Sequence, residues 1–199
     1  MASQSERTAT TRKAILKSAR ALLMASAYDR VSVDEIAAGA GVAKGAVYHH
    51  FKSKEMVFEA VLDAVQADLA KQLQVRLAAN AGPRTPETIA RNVRLYLLTA
   101  SRDGLRQIIL ADGPVVLGWK RWREIDDRYF LEAIRSGIEA IMPQATDRAD
   151  VDAATQLIGG AIAEAALICG AAPDPEATAT GLCLSLQKML QGLQGTGRA

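Results

Sequence analysis

The stretch Val31-Ser-Val-Asp-Glu-Ile-Ala-Ala-Gly-Ala-Gly-Val-Ala-Lys-Gly-Ala-Val-Tyr-His-His-Phe-Lys-Ser-Lys-Glu-Met56 decides the fold. Ser32 followed three residues later by Glu35 is a capping box, in which the serine hydroxyl accepts from the Glu35 amide and the glutamate reaches back to the Ser32 amide. A short helix is therefore predicted to begin there, with Val33, Ile36 and Ala37 at helical spacing on its inner side. Gly39-Ala40-Gly41 supplies the backbone freedom for a tight turn, and a second short helix is predicted over 43–51. On that helix Val47 and Phe51, four apart, face inward together with Val42 from the turn. Ser53 then caps a third helix.

The outward face of the second helix carries Lys44, Gly45, Tyr48 and Lys52. Positive charge, a phenol and a glycine that admits close backbone approach suit a helix laid into the major groove of duplex DNA. Lys54, in the first turn of the third helix, is poorly placed for the macrodipole, but a helix N-terminus with a lysine suits a phosphate. The plain alternatives are a core-edge aromatic for Tyr48, a solvated face for Lys44 and Lys52, and a packing role for His49 or His50. Charge is divided unevenly: residues 1–54 hold nine Lys/Arg against four acids, net +5, and the remainder holds 15 against 18, net −3. A basic first module on a mildly acidic remainder fits a polyanion-binding head on a separate body.

These residues resemble the TetR family of bacterial transcriptional regulators. Its pattern is matched by Ser32-Val33, Ile36-Ala37, Ala40-Gly41-Val42, Gly45, Tyr48, His50-Phe51 and Lys54, within about the first quarter of the chain. The resemblance implies an all-α fold: an N-terminal three-helix helix-turn-helix DNA-binding domain over 1–55, and a larger helical effector-binding and dimerisation domain over 56–199. It further implies a homodimeric repressor on a palindromic double-stranded DNA operator, released by a small hydrophobic effector. Carried over residue by residue, Lys44, Gly45, Ala46 and Tyr48 would face base edges, and Ser32, His49, His50 and Lys54 would hold phosphates, which position without specifying. The chain departs from the pattern at Ala27, where glycine is frequent, at Leu23, a smaller core filler than the usual aromatic, and at Ala43 in place of a capping serine. If Ala27 were left-handed it would cost roughly 1 kcal/mol, unless the first helix simply ends differently; the missing cap costs about 1 kcal/mol.

Hydrophobic residues at 49% with only 5% aromatics indicate a core of Ala, Leu, Ile and Val, and no useful period-2 run argues for sheet. The N-terminal Met-Ala-Ser-Gln-Ser-Glu-Arg-Thr lacks the apolar core of a signal peptide, reads as a frayed arm, and leaves the cytoplasm as the expected location. A first helix is predicted from Thr10 or Thr11, with Ile15, Leu16, Ala19, Leu22 and Leu23 inward. After Ser53 a long helix runs to near Gly82-Pro83 and links head to body. Thr85-Pro86 starts another, with Ile89, Val93, Tyr96, Leu97 and Ala100 on one face and Asp103-Gly104 at its end. A short helix with Leu105, Ile108 and Ile109 precedes Asp112-Gly-Pro-Val-Val-Leu-Gly118, whose proline and glycines predict a loop. A strong helix follows from Trp119 and is ended by Pro143. The effector is expected between the 89–100 helix, the 105–118 segment and the 119–141 helix, with Tyr96, Arg106, Trp119, Trp122 and Tyr129 as contacts; core packing is the alternative for both tryptophans.

The last two helices are predicted over 148–170 and 175–193. The first is apolar on two faces and so must be buried on both, which points to a homodimer through this pair of helices. Its stripe of Gly159, Ala163, Ala166 and Gly170 serves either tight packing within a subunit or the subunit interface. The apolar run 157–172 is interrupted by Glu164 and is shorter than the roughly 20 residues of a membrane span, so no membrane is expected. The only histidines, His49 and His50, are neighbours that point about 100° apart on a helix, which is poor metal geometry. With no nucleophile motif, phosphate loop or Cys/His cluster, no catalysis, metal or cofactor is expected. Cys169 and Cys183 are read as inert buried thiols or, alternatively, a redox pair. The rival functions are an effector-independent architectural DNA-binding protein and a redox-responsive regulator using those two cysteines.

Overall fold

The computed structural model describes residues 4–79, 82–102, 104–143 and 146–195, and among them all regular elements are helical. They are α1 (Gln4–Ala25), a 3-10 turn (Tyr28–Arg30), α2 (Val33–Ala40), α3 (Lys44–His50), α4 (Lys54–Ala79), α5 (Pro86–Ala100), a π-helical stretch (Gln107–Asp112), α6 (Gly113–Ile141), α7 (Arg148–Ala171) and α8 (Pro175–Gln194). By their contacts they form two compact units, one of Met1–Gln66 with Asp103–Trp122 and one of Ala67–Arg102 with Arg123–Ala199. This division falls later than residue 55 and assigns the 103–122 segment to the first unit.

In the first unit α1 starts at Gln4, ahead of the expected Thr10 or Thr11. In this exposed first part, which no apolar periodicity marks, the Thr8 and Thr10 hydroxyls donate back to the Gln4 and Glu6 carbonyls. Of the expected arm, Met1 to Ser3 lie outside the described residues. Ile15, Ala19 and Leu23 are buried, as the periodicity requires. Ala27 is extended at φ −60°, ψ 150°, so α1 ends without a left-handed residue and the feared alanine penalty does not arise.

The expected loop at 112–118 is instead helical. Gln107–Asp112 widens into a π turn, α6 begins at Gly113, and the interruption is confined to Gly118 at φ 74°, ψ 157°. The glycines and proline mark a bulge and a kink, while burial of Ile108, Ile109, Leu110 and Trp122 keeps the backbone helical. In a π register the Ile109 carbonyl looks to residue 114, a proline without an N–H. Trp122 supplies the bond instead, its Nε1 donating to Ile109 O at 2.7 Å. A Cβ on Gly113 would stand 2.7 Å from Trp122 Cδ1, so glycine is what lets the indole seat there. Of the Asp103-Gly104 punctuation, Asp103 lies outside the described residues, and Gly104 has φ +79°.

In the second unit α5 starts at a Thr85/Thr88 capping box with Pro86 in the first turn, and it packs with α7 and α8. At 24 residues α7 is long and apolar enough, by length and composition, to cross a membrane; half of its most apolar window is buried, as in a core helix. The small-residue stripe faces inward: Gly159, Ala163, Ala166 and Gly170 are all buried, and a Cβ on Gly159 would meet Arg123 Nη2 at 2.9 Å and Leu131 Cδ1 at 3.3 Å. The stripe thus lets α6 approach α7 within one subunit, and the open face of α7 is the one with Leu157 and Ile168. Cys169 and Cys183 are both buried and free, and burial pushes the Cys183 thiol up to about 11. A protonated, enclosed thiol is a slow redox partner, which speaks for the inert reading.

Candidate nucleic-acid interface

The capping box predicted at Ser32 is formed. Ser32 Oγ accepts from the Glu35 amide at 3.2 Å, while Glu35 Oε2 accepts from the Ser32 amide at 2.8 Å and from its hydroxyl at 2.7 Å. The Ser32 hydroxyl hydrogen bond, followed by that of its amide, holds the Glu35 carboxyl below its ordinary range. The serine's one hydroxyl proton is committed to Glu35, so donation to a phosphate requires that it turn away.

α2 ends at Gly41, left-handed at φ 66°, ψ 32°. The Gly41 amide donates to Ala38 O at 3.1 Å and the Val42 amide to Ala37 O at 3.0 Å, the paired bonds of a Schellman turn. This fixes the angle between α2 and α3. Behind it, Ser18 Oγ on α1 donates to Ile36 O at 2.9 Å, and a Cβ on Gly39 would come within 2.4 Å of that oxygen. Gly39 therefore serves close approach of α2 to α1, at ordinary helical angles, and Gly41 serves the turn.

α3 starts at Ala43 without a side-chain cap, as its sequence implies. Val47 and Phe51 are buried, and Arg12 of α1 lies over the Phe51 ring at 5.1 Å. Lys44, Gly45, Tyr48 and His49 are exposed, with Ala46 and His50 half-buried, and no atom lies within 4 Å of where a Gly45 Cβ would stand. The two imidazoles meet edge to face with centroids 5.5 Å apart. Lys44 Nζ pairs with Asp34 Oδ2 of α2 at 2.8 Å, and that hydrogen bond raises the lysine above its usual range. Both side chains of this pair are exposed and solvent-screened, so a DNA acceptor can displace Asp34.

Lys54 has partners that the sequence does not announce. Its Nζ donates to Tyr28 O at 3.0 Å and Val31 O at 3.1 Å and lies 3.9 Å from the Tyr28 ring centroid. The ammonium is thus turned into the protein, tying the start of α4 to the turn that precedes α2. Ser53 Oγ accepts from the Met56 amide at 3.1 Å, so the predicted cap of α4 is formed.

The five expected effector contacts divide between the units. Trp119, Trp122 and Arg106 belong to the first, where Trp119 is half-exposed and its ring sits 5.1 Å from that of the fully buried Trp122. Tyr96 and half-buried Tyr129 belong to the second. Buried Tyr96 donates to Asp126 Oδ1 at 3.1 Å and stacks at a tilt on Phe130, centroids 5.0 Å apart. Burial first, then the Asp126 charge, holds the Tyr96 phenol protonated far above its ordinary range. Nearby, Arg123 pairs with Asp127 at 2.9 Å and donates to Gly159 O at 2.8 Å.

Two short helices joined at a left-handed glycine, seated on a third and presenting a lysine, a glycine and a tyrosine outward, define a helix-turn-helix DNA-binding protein. Residues 15–61 match the family model described as bacterial regulatory proteins, tetR family, and residues 86–193 match the tetracyclin repressor-like C-terminal domain. The chain belongs to the TetR family of bacterial transcriptional regulators. It is 25% identical over 158 residues to the transposon Tn10 TetC protein of Escherichia coli, covering 79% of each. A TetR-family transcriptional regulator from Pectobacterium atrosepticum superposes with a TM-score of 0.78 at 27% identity, over 99% of this chain and 100% of that one. RolR in complex with resorcinol has the same fold, with a TM-score of 0.70 at 18% identity over 98% of each chain.

Proposed function

We propose that this regulator is a homodimeric repressor whose α3 reads a near-palindromic operator and which leaves the DNA when a small, mainly apolar effector binds. The observation that carries the DNA part is the free face of α3: Lys44, Gly45 and Tyr48 are exposed together on a helix whose other side is locked by Val47 and Phe51. Lys44 and Tyr48 contact base edges with Gly45 and Ala46 in close approach, while His49, His50 and, once released from Glu35, Ser32 hold phosphates.

The dimer reading is supported by α7 and α8, where Leu157, Ile168, Leu184 and Met189 are 44–74% exposed. Beside them lies a shallow apolar groove of about 130 Å³, lined by residues of α5, α7 and α8 that include Ala161, Ala165, Leu182 and Leu186. Several large exposed apolar side chains on this pair of helices suit an interface, and a two-fold dimer would present two heads at fixed spacing. The effector reading is supported by the Tyr96–Phe130 ring pair beside the buried Asp126 carboxylate, and by the phenol bound to a protein of this fold.

The experiment is a titration of the protein–operator complex with phenols and hydrophobic acids, following DNA release by anisotropy and binding by tryptophan fluorescence. A ligand that lowers DNA affinity by some factor must lose the same factor of its own affinity when DNA is bound. Binders that leave DNA affinity untouched would overturn the effector part and favour the architectural alternative.

A further inference from the structure

We propose that Asp112 is a positioning residue for DNA reading: from the π-helical stretch it holds the peptide that sets where α2 begins, and so where α3 points. Asp112 Oδ2 accepts from the Tyr28 amide at 2.9 Å, and its Oδ1 accepts from Gln107 Nε2 at 3.0 Å. The Tyr28 amide opens the 3-10 turn, and Ala27, which precedes it, has no side chain to cap it. A carboxylate 84 residues away does so instead. The Lys54 ammonium donates to the Tyr28 carbonyl, in the first residue of the same turn, and to the Val31 carbonyl, just past its end. An anion therefore holds the amide that opens the turn, and a cation holds the carbonyls of its first residue and of the residue that follows it.

The next residue is Ser32, the cap of α2, and α2 is joined to α3 by the tight Gly41 turn. The Tyr28 ring is wedged edge-on against buried Phe58 at 5.3 Å, which leaves the peptide little freedom except through its two polar grips. Gln107 and Asp112 are five residues apart and meet only because the stretch between them is π-helical; in an α-helix they would point roughly 140° apart. The reach of Asp112 to Tyr28 thus depends on the π register. A change of register in Gln107–Asp112 releases the turn, and through it the aim of α3.

The inference rests on α3 as the reading helix, and Lys44→Ala measured beside the Asp112 variants separates the two. The probes are the full chain, a duplex selected by it from random DNA, and an unrelated duplex. Asp112→Ala is expected to bind the selected duplex about tenfold more weakly, with affinity for the unrelated duplex and the salt slope unchanged. Asp112→Asn, which can turn its one carbonyl oxygen to the Tyr28 amide and its NH2 to the Gln107 side-chain oxygen, is expected to restore most of the loss. Native affinity in Asp112→Ala, an equal loss on both duplexes, or no rescue by asparagine would each overturn the positioning role. If Lys44→Ala alone changes base preference, the positioning role fails; if neither variant does, the placement of α3 on the bases falls first. Hydrogen exchange in the native protein stands independently of how the variants fold: protection of the Tyr28 amide on a par with α2 is expected, and exchange like an exposed amide would overturn the proposal.

Discussion

Replacing Lys54 by methionine keeps the length and apolar stem of the side chain and removes only the charge and its donors. The structure gives that ammonium two carbonyl acceptors, at 3.0 and 3.1 Å, and an aromatic face at 3.9 Å. Hydrogen bonds from a charged donor contribute about 1.5–3 kcal/mol each when buried, and the cation–π contact about 0.5–1 kcal/mol at an exposed site. Lys54 is half-buried and Tyr28 O keeps the Val31 amide as a second partner, so roughly 2 kcal/mol in total is expected. For a chain of this size that lowers the melting temperature by about 4–8 °C. The distinguishing assay is the salt dependence of DNA binding. A lysine on a phosphate contributes about 0.9 to the slope of log K against log salt, whereas one spent on Tyr28 and Val31 contributes none. Lys54→Met should therefore melt early, bind more weakly and keep the native slope. A slope reduced by about one, with an unchanged melting temperature, would refute the inward strut and restore the phosphate role that the family pattern assigns.

The α1–α2 contact predicts that Gly39→Ala destabilises by about 1–2 kcal/mol through Ser18 Oγ, and that Ser18→Ala in the same chain removes most of the penalty; a double-mutant cycle in urea checks the coupling. Because hydrogen bonds to Ser32 depress the Glu35 carboxyl, its stabilisation is complete above the ordinary 4.5 and is lost as pH falls through its lowered folded value. Urea melts of the native chain and Glu35→Ala across that range should converge on acidification and stay parallel above it. On α7, Leu157→Asp should yield monomers by sedimentation with the helical content intact, whereas Gly159→Leu should lower the melting temperature by driving into Leu131 and Arg123.

What could be read from sequence follows the range of the interactions. The Ser32–Glu35 box, the Gly41 turn, the Val47/Phe51 seat and the ends of α7 and α8 are local, set by residues three or four apart, and they stand where periodicity and caps place them. The grip on Tyr28 was hidden because Asp112 lies 84 residues away and no local pattern pairs a carboxylate with a remote amide. Lys54 is similar: its position at a helix start suggests a phosphate, and only the fold reveals two carbonyls within reach of its ammonium. Proline and glycine at 112–118 predict a loop, and the segment is helical instead, with a π turn and a kink at Gly118, because buried Ile109 and Trp122 hold it in place. The stripe at Gly159 announced close packing without saying against which helix, and the answer is α6 of the same chain.

Selection of bound sequences from random duplex DNA, run in parallel with the native chain and Lys44→Ala, tests the central claim most directly. The account predicts that the native chain enriches an inverted repeat with a fixed half-site spacing, and that Lys44→Ala keeps the repeat but loses preference at one base position in each half, at about 1–3 kcal/mol. Enrichment of no common site, or the same base preferences in both proteins, would contradict α3 as the reading helix.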